Sequence, residues 1–333
     1  MSSVNGNGRV PVEVAPEETP RAHMPRQVYA PPGNQGRSLA IALALLALTI
    51  VTTLAAGAEF GIAYARGQAP AFDSFFGVYA EAYHNPRVLL AGLSFAVTLL
   101  GILLAHELGH FFACRHYELS ASFPYFLPVP TMIGTMGAFI RIRSPIINRK
   151  SLLDVGLSGP VVGFVLAIPA MAFGILHSKI APGANAAAPF QFGVPLAMRI
   201  LLALLRPGVE AGDLLLHPVA RAAWVGLFAT SLNLLPGGQL DGGHILYSLA
   251  SGAHKRITLV LAVALLPLVY YWPGWGLWAI LLLAIGFRHP PLLDRREPLD
   301  HKRQVWALAG LAIFVLSFMP VPIVTPGHWW SLS

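Results

Sequence analysis

Long apolar runs constrain the fold of this chain more than any other feature of its sequence. A helix of about 20 residues crosses the roughly 30 Å hydrocarbon core of a bilayer. Hydrophobic residues make up 55% of the chain and charged residues only 11%, a composition typical of membrane proteins. We therefore predict an all-α, polytopic transmembrane helical bundle of about six to seven spans. The predicted spans are Ser38–Gly57, Val88–Ala113, Leu152–Leu176, Pro218–Pro236, Ile257–Trp272, Gly274–Phe287 and Gln304–Met319.

The two ends of the chain differ in composition from its apolar middle. Residues 1–37 hold six prolines and several glycines without apolar periodicity, which predicts a disordered cytoplasmic tail. Residues 38–320 are predicted to form the membrane domain, and residues 321–333 a short C-terminal tail. The single cysteine, Cys114, excludes an internal disulfide framework.

Lysine and arginine are distributed unevenly along the chain. With the N-terminus in the cytoplasm, 16 of the 22 fall in the tail and in the loops on that same side. Cytoplasmic loops of membrane proteins carry this excess, so the distribution predicts the orientation. The net charge of +7 is then explained by topology, and we predict no nucleic-acid partner.

Two apolar stretches do not fit a simple spanning helix. Residues 123–143, "FPYFLPVPTMIGTMGAFIRIR", contain three prolines and two glycines, which predicts a re-entrant loop or a short hairpin shielded by protein. Residues 194–205 are short and contain Arg199, so we predict a helix at the outer surface rather than a span.

The stretch "HELGH" places three titratable residues near the end of the second predicted span. His106 and His110 are four residues apart, so on a helix both imidazoles project from one face and can bind one metal ion. Glu107 then lies beside a metal-bound water, as in the HExxH arrangement of zinc hydrolases. A chance HExxH is expected in roughly 1 in 100 chains of this composition, and intramembrane ionisable groups are usually functional.

A catalytic zinc site normally has three protein ligands and one open position. Only two of the six aspartates, Asp154 and Asp241, lie in or at the edge of a predicted span. The predicted topology puts Asp241 on the cytoplasmic side, together with His106 and His110, so we favour Asp241 and leave Asp154 open. Arg115 follows His106 by nine residues, which puts the metal on the order of 13 Å inside that boundary.

Four motifs resemble those of the site-2 proteases, zinc metalloproteases that cut substrates within the membrane. They are "HELGH" (His106–His110), "GTMG" (Gly134–Gly137), "LSGPVVG" (Leu157–Gly163) and "NLLPGGQLDGG" (Asn233–Gly243). The chain is especially similar to bacterial and plant chloroplast members. It has no sequence like the PDZ or CBS modules of some relatives.

The resemblance implies a role for each motif residue. It implies that His106, His110 and Asp241 bind one Zn²⁺ per chain and that Glu107 is the catalytic base. It further implies that Asn233 assists substrate or oxyanion binding. The loop from Gly134 to Ile140, including Thr135 and Gly137, is expected to contact the unwound substrate.

The expected function is therefore hydrolysis of peptide bonds within or near transmembrane segments. The expected substrates are single-span membrane proteins in the lipid bilayer. The expected location is the bacterial inner membrane, with the N-terminus and the zinc site towards the cytoplasm. Two alternatives stay open: a membrane metal transporter or sensor, and a proteolytically inactive relative that binds membrane proteins. The sequence gives no oligomeric state.

Overall fold

The computed structural model describes residues 35–183, 188, 190–285, 292, 294 and 297–324. The predicted disordered tail, residues 1–37, lies outside this range except for its last three residues, which are helical. The first helix begins at Gln35, three residues before the predicted start of the first span at Ser38. Residues 325–333 of the predicted C-terminal tail also lie outside the described range.

The described residues are mostly helical. A 3-10 helix, Pro86–Gly92, leads directly into the third α-helix. The α-helices in chain order are α1 Gln35–Arg66, α2 Phe72–His84, α3 Leu93–His116, α4 Arg149–His177, α5 Leu196–Leu205, α6 Pro218–Asn233, α7 Asp241–Ala250, α8 His254–Leu265, α9 Gly274–Ile285 and α10 His301–Ser317.

Among the residues that the structure describes, three helical segments are long and apolar enough to cross a membrane, by length and composition. They are Gly36–Arg66, Pro86–His116 and Arg149–His177, and each contains one of the first three predicted spans. Large apolar side chains cover their outer faces; Phe112 on α3 is 62% exposed and Val165 on α4 is 65% exposed. Such a surface suits lipid rather than water.

The other four predicted spans correspond to shorter helices. Helices α6, α8, α9 and α10 contain 16, 12, 12 and 17 residues. The predicted end of the fourth span at Pro236 is wrong, because α6 ends at Asn233 and a glycine-rich turn follows. The predicted outer helix at residues 194–205 corresponds to α5. The predicted end of the sixth span, Phe287, lies outside the described residues.

The irregular stretch at residues 123–143 forms a β-hairpin. Strand β1 (Tyr125–Pro128) pairs antiparallel with β2 (Thr135–Phe139), with Tyr125 opposite Phe139. Gly134, just before β2, has φ +81°, a conformation that favours glycine. Two further short pairs occur: β3 (Lys179–Ile180) with β5 (Leu214–Leu215), and β4 (Gln191–Phe192) with β6 (Ile323–Val324).

Helices α3, α4 and α6 pack against one another at the centre of the described structure. Glycines permit close approach of their backbones. A Cβ added at Gly109 of α3 would lie 2.7 Å from the Ser158 carbonyl oxygen of α4. One added at Gly174 of α4 would lie 2.4 Å from the Ala220 backbone nitrogen of α6. Small residues at helix interfaces allow this packing in membranes, and here the packing positions the polar site.

Candidate metal centre

His106 and His110 lie on the face of α3 that packs against α4. Both side chains are buried, at 5% and 8% exposure. The helical spacing puts the two rings one turn apart, as the motif predicts. The partner surface on α4 has two glycines at the same spacing: a Cβ at Gly159 would lie 2.1 Å from His110 Nε2, and one at Gly163 would lie 3.1 Å from His106 Nδ1. These glycines make room for the two imidazoles.

Asp241 is the first residue of α7, and the turn before it fixes its position. Two glycines follow it, and side chains there would collide with the turn. A Cβ at Gly242 would lie 2.1 Å from the Leu234 carbonyl oxygen, and one at Gly243 would lie 2.4 Å from that of Gly238. The start of α7 is therefore folded tightly against the end of α6. This arrangement brings the Asp241 carboxylate to the two histidines.

The three side chains bring one ligand atom each to a common point. His106 Nε2 lies 3.2 Å from Asp241 Oδ2 and 3.1 Å from His110 Nε2. His110 Nε2 lies 3.3 Å from Asp241 Oδ2. Ligands of a tetrahedral zinc ion at about 2.0–2.1 Å lie roughly 3.3–3.4 Å apart, since a tetrahedron's edge is about 1.63 times its centre-to-corner distance. Both the spacing and the two-histidine, one-carboxylate donor set fit three corners of such a site.

A backbone carbonyl orients one of the two imidazoles. His110 donates from Nδ1 to the carbonyl oxygen of Val155, at 2.7 Å. Because that nitrogen carries the hydrogen, Nε2 keeps its lone pair free to bind a metal. Sequence reasoning missed Val155, since a backbone carbonyl leaves no signal in residue type.

Glu107 lies beside the cluster and lines a small cavity. Its side chain is 4% exposed and borders a space of about 80 Å³ together with His106, Gly137 and Asn233. Asn233, the last residue of α6, brings its amide Nδ2 within 3.3 Å of His106 Nε2. A carboxylate and an amide donor therefore flank the ligand set.

The hairpin residues expected to bind substrate lie in different places. Gly137 lines the cavity beside Glu107. Thr135 stabilises the hairpin itself, because its hydroxyl donates to the Leu127 carbonyl at 2.9 Å and accepts from the Gly137 N–H at 3.0 Å. The carbonyl of Gly134 accepts a 2.6 Å hydrogen bond from the Thr52 hydroxyl, which attaches the hairpin to α1. Sequence reasoning did not identify Thr52.

Asp154, the other aspartate considered as a ligand, is part of a separate ion-pair network. Arg303, near the start of α10, binds its carboxylate through Nε at 3.1 Å and through Nη2 at 2.6 Å. The Tyr117 hydroxyl also donates to it. The carboxylate is thus neutralised by a guanidinium and contributes no atom to the cluster of His106, His110 and Asp241.

The fold and the site together define a helical membrane protein with a buried candidate metal centre of two histidines and one aspartate. Residues 94–269 match the model of peptidase family M50. The chain belongs to this family, the site-2 proteases. The matched region contains the whole candidate centre.

Several curated relatives have names that mark them as chloroplast proteins of plants. "Probable zinc metalloprotease EGY1, chloroplastic" of Arabidopsis thaliana is 31% identical over 299 residues, which cover 84% of this chain and 53% of that protein. "Probable zinc metalloprotease EGY2, chloroplastic" of the same plant is 28% identical over 252 residues, 74% of this chain and 45% of that protein. This chain thus spans about half the length of the relatives it matches. The match to family M50 and the long apolar helices together identify the chain as an integral membrane protein.

Proposed function

We propose that this chain is an intramembrane zinc metalloprotease that hydrolyses peptide bonds in membrane-embedded segments of other proteins. The observation that carries the proposal is the convergence of His106, His110 and Asp241 within 3.1–3.3 Å, with Glu107 beside them on the same helix. The names of the relatives support zinc as the metal. One ion per chain is proposed for the cluster of His106, His110 and Asp241.

The chain's own residues have separate roles in the proposed reaction. Zinc in such a site supplies a Lewis acid that makes water nucleophilic near neutral pH. Glu107 accepts the proton of the attacking water and returns it to the leaving amine. The Asn233 amide donates a hydrogen bond to the oxygen on which negative charge develops. Buried walls around this cavity limit bulk water, so that these electrostatic contributions are stronger than in solution.

The hairpin is proposed to hold the substrate as an extended strand. A transmembrane helix has its carbonyls hydrogen-bonded, so a substrate must unwind locally before its peptide bond can be attacked. Strand β2 contributes Gly137 to the cavity that Glu107 lines, so a strand paired with β2 would lie beside the glutamate. Single-span membrane proteins are the proposed substrates, and residues 123–143 are proposed to re-enter the bilayer.

The proposed topology follows the distribution of basic residues. Seven spans, with the shorter α6, α8, α9 and α10 completing the bundle, put the N-terminus and the metal centre on the cytoplasmic side. Residues 38–320 then form the protease domain, with a tail on each side. The bacterial inner membrane is the proposed location.

The proposal is tested by removing the proposed base without disturbing the fold. Glu107→Gln keeps the shape of the side chain and is expected to lower cleavage of a single-span substrate by at least about 100-fold, since general-base catalysis contributes about 10²–10⁴. Purified wild-type and variant proteins are compared for substrate cleavage and for zinc content. Zinc content should be unchanged, because Glu107 contributes no ligand atom to the cluster.

The matched control is Glu81→Gln, which makes the same chemical change on the exposed face of α2. It is expected to cleave at the wild-type rate. Wild-type cleavage by a folded, zinc-loaded Glu107→Gln protein would contradict the proposal. Zinc flux into vesicles that persists in that variant would instead favour the transporter alternative.

A further inference from the structure

Arg221 is a buried arginine that the metal centre does not use. It lies in α6, three residues after the helix begins, and is only 6% exposed. Within the described part of the chain, no hydrogen bond or ion pair to its guanidinium is found. Its contacts there are aromatic: the guanidinium carbon lies 5.2 Å from the ring centre of Phe60 and 5.0 Å from that of Phe192. The positive charge is therefore shielded from water, and no carboxylate of the described residues forms an ion pair with it.

The guanidinium borders a cavity of about 110 Å³. Aromatic rings form much of its wall, including Phe190, Phe192 and Trp224. The indole of Trp224 is fixed by a 2.6 Å hydrogen bond from Nε1 to the Gly193 carbonyl oxygen. Most of the side chains that line the cavity are apolar, and Arg221 is the one charged side chain among the described lining residues.

The charge and shape of this chamber select the class of ligand. An unpaired buried charge is costly, and a guanidinium is best satisfied by a planar oxyanion that accepts two parallel N–H bonds. One positive charge balances a monoanion, whereas a phosphate group carries a charge of about −1.5 to −2 near neutral pH. The aromatic walls favour a ligand with an apolar part, which inorganic anions lack.

We propose that this cavity binds a small monocarboxylate, with its carboxylate on the Arg221 guanidinium and its apolar part against the aromatic rings. The site is separate from the metal centre: Arg221 and Asn233 are twelve residues apart on α6, about 18 Å along the helix. The proposal therefore does not depend on the proposed proteolytic activity.

The test is the thermal stability of the purified full-length protein during titration with sodium acetate, at an ionic strength held constant with sodium chloride. A ligand that binds only the folded state raises the melting temperature; at ten times its dissociation constant we expect about 2–4 °C for a protein of this size. Arg221→Gln should abolish the acetate effect. The matched control, Arg199→Gln, changes an exposed arginine on α5 and should keep it.

The wild-type protein alone can overturn the proposal. No saturable rise with acetate, or an equal rise with phosphate, contradicts a monocarboxylate site. A rise of the same size in Arg221→Gln also contradicts it, because the acetate would then act elsewhere. If Arg221→Gln does not fold, Arg221→Lys keeps the charge but loses the planar fork. It should weaken acetate binding by about 10-fold, and unchanged affinity would contradict the proposed contact.

Discussion

Asp241 and Asp154 are two carboxylates near the same end of the helical core, yet their partners are opposite in character. Asp241 faces imidazole nitrogens at 3.2 and 3.3 Å, and the lone pair of His110 is directed towards it by the Val155 carbonyl. Asp154 faces the guanidinium of Arg303. Imidazole nitrogens and a carboxylate oxygen that face one another can hold a metal ion between them, whereas an aspartate beside an arginine is already neutralised. The groups that surround each carboxylate therefore distinguish the proposed metal ligand, Asp241, from the ion-paired Asp154.

The largest effect is expected from moving His110 out of its position in the cluster of His106, His110 and Asp241. Gly159→Ala adds a Cβ 2.1 Å from His110 Nε2, so the imidazole must move from its position. We expect zinc affinity to fall by about 100-fold or more, since even changes to the groups that orient ligands cost about 10–100-fold. Zinc competition with a chelating dye measures this change.

The control for this substitution is Gly101→Ala on α3, where an added Cβ meets no atom within 4 Å. Zinc affinity should be the same as in the wild type. Equal affinities in both variants would mean that His110 does not bind the metal from its position beside Gly159.

A smaller effect is expected at Asn233, whose side-chain amide lies beside the cluster of His106, His110 and Asp241. Asn233→Ala removes the donor that lies 3.3 Å from His106 Nε2. Cleavage should fall by about 10–100-fold, less than the loss of a full oxyanion-hole donor, because Glu107 still transfers the proton of the attacking water to the leaving amine. The turnover rate and the zinc content are measured together. A loss of zinc with an unchanged rate per bound zinc would assign Asn233 to the metal rather than to the substrate.

The smallest effect on activity is expected at the Asp154 network. Asp154→Asn weakens the pair with Arg303, whose side chain is 23% exposed, so the cost in unfolding free energy should be about 1–3 kcal/mol. Zinc content should stay at the wild-type value. Thermal unfolding of Asp154→Asn, Arg303→Gln and the double variant measures the coupling. Additive effects of the two changes would contradict a direct pair.

Sequence spacing alone predicted two of the three residues of the candidate centre, His106 and His110. The four-residue separation of His106 and His110 places both rings on one helix face whatever the rest of the chain does. Asp241 is distant in sequence, and only the distribution of basic residues placed it on the same side. The ion pair between Arg303 and Asp154 is what distinguishes Asp154 from Asp241. Arg303 and Asp154 are far apart in the sequence, so this pair could not be predicted from spacing.

Prediction was weaker where glycine and proline interrupt the apolar pattern. The prolines and glycines of residues 123–143 excluded a plain helix but did not distinguish a re-entrant loop from a hairpin. Helix α7 was not predicted, because Gly242 and Gly243 have low helix propensity and indicate an interruption. Their role is steric, since close packing of α7 on the preceding turn leaves no space for side chains there.

The most direct test of the metal centre is the zinc content of Asp241→Asn and Asp154→Asn proteins purified side by side. The two variants make the same change at the two aspartates near the site. We predict about one zinc per chain in the wild type and in Asp154→Asn, and little or none in Asp241→Asn, since one of three protein ligands is lost. Full zinc occupancy in Asp241→Asn, or loss of zinc in Asp154→Asn alone, would contradict the ligand set of His106, His110 and Asp241.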